Sequence, residues 1–216
     1  MTTPTAPAIE RLPIDERFAT LATPDQLDRT IAALHTHGID ARIADTAGEA
    51  ADMVLSLIPE AAEVHSGASE TLATIGLTDV IERSGRFDAV RPKLWAMDRA
   101  TQADEIRKLG AAPEVFINSA AAVTEDGKIV WASSTGSQLG PLAAGAGKVI
   151  LVVGAQKVVP DLATAFGRVE GYAFPKEDIR AQGAYGMRSA INKLLVVQGD
   201  RPGRTTVILV REALGY

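Results

Sequence analysis

Apolar positions along this chain follow two rhythms, helical spacing in some stretches and short continuous runs in others. Thr23 precedes Pro24 and lies three residues before Gln26, a capping-box pattern with proline at the first helical position. Leu27, Ile31 and Leu34 follow at helical spacing, and Gly38 is a stop signal. A strand is predicted over 39–44. Thr46 and Glu49 repeat the capping pattern ahead of a face of Ala50, Ala51, Val54, Leu57 and Ile58, which Pro59 ends. A brief strand at 62–65 leads into a helix start at 66–72. Helices over 78–83 and 100–109 and a compact apolar strand over 115–118 come next.

The run AVTEDGKIVWA reads as two strands joined at Asp126-Gly127 by a type I′ turn. Thr135-Gly-Ser-Gln opens a small-residue helix, 148–153 is a buried strand, and Pro160 starts a helix whose face is Leu162, Ala165, Phe166 and Val169. Strands near 194–198 and 205–211, joined by GDRPG, predict a closing antiparallel hairpin. Strands alternating with helices imply an α/β fold, a mainly parallel sheet with helices on both faces, to which the C-terminal hairpin is added. No internal repeat or domain boundary interrupts the pattern. Residues 1–22 read as a flexible lead-in, beginning with a Thr-, Pro- and Ala-rich stretch, and 23–216 as a single domain.

Composition narrows the function classes. A formal charge of −5, with no basic cluster interleaved with aromatics, argues against nucleic acid as a partner. The chain has no cysteine, which excludes disulfides, a thiolate nucleophile and Cys-ligated zinc or iron–sulfur clusters within it. Three scattered histidines lack metal-site spacing, and no cofactor is expected. The N-terminus lacks a secretory signal pattern and no apolar run approaches the ~20 residues of a membrane span. The expected compartment is therefore the cytoplasm, without a membrane partner.

Two nucleotide signatures fail on spacing. GPLAAGAGK at 140–148 resembles a phosphate loop, but Val149 stands where Ser or Thr is needed, and its glycines precede a strand rather than follow one. The segment holding Ser66, Gly67, Ser69 and Thr71 follows a strand and opens a helix, where open α/β sheets hold ligands on free N–H groups. Plain capping by Ser69 explains part of it. The 133–138 segment, with Thr135, Gly136 and Ser137, repeats the pattern, and capping accounts for one of its four hydroxyls. Two such segments favour an anionic small molecule. Asn118 and Ser119 end one apolar strand, and Gln156 and Lys157 follow another. Lys157 is either a solvated loop lysine or a ligand contact at the strand ends. Glu125 is either an exposed hairpin residue or a carboxylate base or nucleophile.

The stretches KLWAMDRATQADEIRKLGAAPEVF, AVTEDGKIVWASSTGSQL, KVILVVGAQKVVPDL and SAINKLLVVQGDRPGRTTVILVREALGY together resemble the LUD-domain (lactate utilisation protein) family, from about Thr23 onward. The resemblance implies a glucosamine-phosphate isomerase/ribose-phosphate isomerase/CoA-transferase-like fold. It also implies participation in oxidation of L-lactate to pyruvate beside iron–sulfur oxidoreductase subunits, as an accessory or ligand-binding component. It brings no assigned catalytic residue. The chain departs from relatives that carry a histidine in the stretch matching Ser119-Ala-Ala-Ala, having Ala121 there, and from those with a Cys-rich C-terminal segment. A competing expectation is a free-standing isomerase- or transferase-like enzyme that acts on an anionic metabolite with Glu125 as base or nucleophile. A second copy of the chain, as a homodimer, stays open as a partner.

Overall fold

The structure, a computed structural model, describes residues 11–216. Of the lead-in expected over 1–22, residues 1–10 lie outside the described residues. The described remainder is tied to the body. A 3-10 turn spans Glu16–Ala19, Asp15 N–H donates to the Gly171 carbonyl, and Ala22 N–H donates to that of Ala155.

The elements follow in the order α1 (Pro24–Thr36), β1 (Asp40–Ala44), α2 (Ala47–Leu57), β2 (Glu63–Ser66), α3 (Glu70–Thr74), α4 (Leu77–Arg83), β3 (Asp88–Ala89), α5 (Val90–Ala96), α6 (Ala103–Ala111) and β4 (Val115–Asn118). Then come β5 (Ala122–Thr124), β6 (Ile129–Ser133), β7 (Lys148–Gly154), β8 (Val158–Val159), α7 (Leu162–Arg168), α8 (Phe174–Tyr185), β9 (Lys193–Val197) and β10 (Thr205–Val210). The capping box at Thr23 forms as the spacing predicts, with Gln26 Oε1 accepting from Thr23 N–H and Thr23 Oγ1 from Gln26 N–H.

Six strands make a wholly parallel sheet in the order β1-β10-β7-β4-β2-β3. Its central strands β7 and β10 are near-continuous runs of Val, Ile and Leu because both faces are buried. Alternation sends Ile150, Val152, Ile208 and Val210 to a core with Val54, Leu72, Leu77 and Ile81 of α2–α4. Val149, Leu151, Val207 and Leu209 face the other way, against Leu27 and Leu34 of α1 and Ile129 and Trp131 of β6. Beyond that core lies a second sheet, β8-β5-β6-β9, whose outer face carries Ala165 and Val169.

The expected C-terminal hairpin does not form. β9 pairs antiparallel with β6 in the second sheet, while β10 inserts between β1 and β7. The intervening turn passes beside α1, where Asp200 N–H donates to the His37 carbonyl, so it joins two sheets rather than two neighbours. Six consecutive buried residues in β10, against a half-exposed β9, are the physical sign of a central parallel strand. The type I′ turn is also corrected: Gly127 takes positive φ and Asp126 does not, as in a three-residue loop closed by a left-handed glycine. Nor does a helix open at Thr135; it opens at Leu139 and runs into a π-type turn over Pro141–Gly145.

The glycine-rich 140–148 stretch serves packing. A Cβ on Gly145 would overlap the Ala111 carbonyl oxygen. Buried Arg204 donates to the carbonyls of Pro141, Leu142 and Ala146 and to Asp200, which holds the π-type turn in place. α7 and α8 are joined by a second π-type turn, Val169–Ala173, just ahead of Pro175, whose missing N–H cannot continue an α-helical ladder.

Candidate functional site

In a parallel sheet every strand ends at the same edge, and ligands gather there. β2, β4 and β7 are neighbours, so the segments after Ser66, Asn118 and Gly154 come together. Lys157 closes a 3-10 turn directly after β7 and points inward, 1% exposed. Its Nζ donates to Thr71 Oγ1 of α3 at 2.9 Å and to Ser119 Oγ after β4 at 3.1 Å. Thr71 Oγ1 in turn donates to the Leu214 carbonyl at 3.1 Å. Gln156 anchors the same segment, donating to the carbonyls of Leu214 and Gly215 and accepting from Leu214 N–H. Tyr216 OH donates to Glu177 Oε2 at 2.5 Å, which fixes the far end of the 212–216 strap to α8.

The amine has neutral partners, and among the described residues it forms no ion pair. Burial, reinforced by the positive charge of Arg168, pushes its pKa well below the ordinary lysine value. Arg168 is itself wholly buried on α7, donating from Nε to the Gln156 carbonyl at 3.1 Å and from Nη1 to that of Ala121. Its Nη2 is buried without a hydrogen-bond partner, and burial brings its pKa down to about 10. Two basic side chains are thus taken out of water with neutral hydrogen-bond partners, and the Arg168 guanidinium also lies 5.0 Å from the centre of the Tyr172 ring. The set can donate hydrogen bonds to an anion, and Lys157, deprotonated more readily than a surface lysine, can act as a nucleophile.

The other expected residues divide into three groups. Asn118 links the two small-residue segments. A Cβ on Gly67 would meet its side-chain amide at 2.7–3.0 Å, and its Nδ2 donates to Gln138 Oε1 at 3.3 Å, which brings 66–71 and 133–138 to one edge. Ser66 and Ser69 turn to structural partners. Ser66 Oγ donates to Glu82 Oε1 at 2.6 Å, beside Arg91, and Ser69 caps α3 through Leu72 N–H. Thr135 and Ser137 bond to each other, with Thr135 exposed, and Gly136 lies against Lys193; the three reach the cluster through Gln138.

Glu125 stands apart. Its carboxylate accepts from Gln26 Nε2 at 2.8 Å and from Arg29 at 2.7 and 2.9 Å, both on α1. Burial raises its pKa, but those hydrogen bonds outweigh burial and the net shift is downward. A carboxylate held ionised by an arginine is a poorer base than a free one. Arg168, Gln138 and the 212–216 strap were not anticipated. The available signal for Arg168 was a cation three residues after Ala165 on an apolar helix face.

The LUD domain profile matches residues 27–210. The chain belongs to the LUD domain family. No curated protein matches this LUD domain chain. Among solved structures it is similar to a DUF162 family protein from Deinococcus radiodurans, with 15% identity and a TM-score of 0.56, over 88% of this chain and 99% of that one. At that identity the likeness concerns the fold. Ribose 5 phosphate isomerase A from Neisseria gonorrhoeae also matches, with 14% identity and a TM-score of 0.33, over 66% of this chain and 57% of that one. Among the described residues of this LUD domain no helix is long and apolar enough to cross a membrane.

Proposed function

We propose that this LUD domain is a ligand-binding component of cytoplasmic lactate oxidation, holding a small carboxylate anion at Lys157 for iron–sulfur oxidoreductase partners. One observation carries the reading: the buried Lys157 amine and the buried Arg168 guanidinium face neutral oxygens and the Tyr172 ring, and Arg168 Nη2 has no hydrogen-bond partner. Buried charges are ordinarily paired, and an anion supplies the missing charge. The absence of cysteine in the chain assigns any thiolate-ligated redox centre to a partner. The engagement of Glu125 by Arg29 favours this reading over a free-standing enzyme with Glu125 as its base.

Calorimetric titration of the purified chain with L-lactate and with pyruvate tests it. Saturable binding of one anion per chain is expected, weakened about ten- to a hundredfold by Lys157→Met, the effect of one hydrogen bond to a charged partner. No heat and no rise in melting temperature with either anion would overturn it.

A further inference from the structure

We propose that Lys157 is a carbonyl-reactive amine that condenses reversibly with a small 2-oxo acid to form an imine. The geometry that points to this is an amine in contact with two hydroxyls and no carboxylate, at the ends of β4 and β7, beside a guanidinium with an orphaned N–H. A lysine kept as an ammonium by an acidic partner is a poor nucleophile; one surrounded by hydroxyls and repelled by a neighbouring cation is a good one. Its depressed pKa agrees with that placement. The carbonyl answers to the amine, and a carboxylate on the adjacent carbon answers to Arg168, so the class is the 2-oxo acids. This rests on the reading of the Lys157 cluster as the ligand site.

The step balances without an oxidant. The nitrogen lone pair attacks the carbonyl carbon, and a proton passes from nitrogen to the carbonyl oxygen to give a carbinolamine. The C–O bond then breaks, the second nitrogen proton leaves with the departing hydroxide, and water and a neutral imine result. Protonation of that imine takes one further proton from solvent, and hydrolysis runs the sequence backwards. Thr71 and Ser119 already hydrogen-bond the amine, so their hydroxyls are placed to relay these protons.

Access follows from the neighbouring structure. A cleft of about 550 Å³ is lined by Gln156 and Val158, the residues on either side of Lys157. Gln156 also holds the 212–216 strap through Leu214 and Gly215. Thr71, which accepts from the Lys157 amine, donates to Leu214 of the same strap, so local opening of the strap would uncover the amine on that side.

The test is to incubate the full chain with pyruvate and cyanoborohydride near about pH 7, where surface lysines are protonated. Intact mass and peptide mapping then locate any reduced adduct. One adduct per chain, mapped to Lys157 and absent from Lys157→Met, is expected. If that variant fails to fold, the peptide map of the unsubstituted chain decides alone. Adducts scattered over surface lysines, or none, would overturn the inference. Titration with L-lactate, which has no carbonyl, separates the two readings. Lactate binding without a Lys157 adduct sinks the imine and leaves the binding role standing. A Lys157 adduct without lactate binding supports the imine and confines the anions held at this site to those with a carbonyl.

Discussion

Lys157 and Thr71 lie 86 positions apart in sequence, yet the lysine amine donates a hydrogen bond to the threonine hydroxyl at 2.9 Å. The same hydroxyl donates onward to Leu214, so a residue after β7, a short helix after β2 and the end of the chain share one oxygen. Parallel strand order brings the first two together; the strap from Glu212 onward closes over them.

The first prediction concerns pH. In the folded chain burial depresses the pKa of Lys157 below its ordinary 10.5. Between the depressed value and 10.5 the unfolded chain binds a proton that the folded chain lacks. Lys157 therefore makes stability rise with pH across that window, and its penalty is gone above it. Melting temperatures of the unsubstituted chain and Lys157→Met, compared at about pH 7 and about pH 10, should draw together as pH rises. A difference that stays constant would show that Lys157 keeps its charge when buried.

A second prediction addresses the strap. Burial first, and then the Glu177 carboxylate, raise the Tyr216 pKa and keep its hydroxyl a donor. Tyr216→Phe removes one hydrogen bond while Glu177 keeps Arg180. We expect a stability loss of about 1 kcal/mol, faster amide hydrogen exchange over 212–216 and faster trapping of pyruvate at Lys157. Exchange unchanged in that segment would mean the strap is held by Gln156 and Thr71 instead.

Much of the fold was legible, and the reasons are local. β4 has the bounds expected from three consecutive apolar residues and Asn118 at their end, and the Thr23 box announced α1. The parallel sheet followed from strands alternating with helical spacing. The second sheet was not legible, because which strand pairs with β9 depends on contacts 60 positions and more away along the chain, and GDRPG between two strands is the same string whether it joins neighbours or crosses between layers. Lys157 was legible as a candidate at a strand end. Its burial was not, since the strap that covers it and the Arg168 that flanks it lie on remote elements.

Glu125 provides a third prediction. Arg29 is largely exposed, and such pairs contribute roughly 0.2–1 kcal/mol. Glu125→Gln keeps an acceptor for Gln26 and loses the charge that Arg29 holds. It should lower stability by less than about 1 kcal/mol and leave trapping at Lys157 unchanged. A large loss of trapping in a folded variant would restore Glu125 to the chemistry.

The last prediction sets two glycines against each other. Gly183 lies within α8, and a Cβ there meets open space. Gly183→Ala therefore acts chiefly by reducing the freedom of the unfolded chain and should stabilise by about 0.5–1 kcal/mol. Gly145 lies in the Pro141–Gly145 turn, where a Cβ would overlap the Ala111 carbonyl oxygen, backbone that cannot rotate aside. Relief requires α6 to move from the turn, and that turn is also gripped by Arg204 through three carbonyls. Gly145→Ala should cost at least about 1–3 kcal/mol, the range for forcing an extra carbon into a packed site. Chemical denaturation of both variants checks the pair. Equal midpoints for Gly145→Ala and the unsubstituted chain would mean that close packing does not explain the glycine-rich stretch.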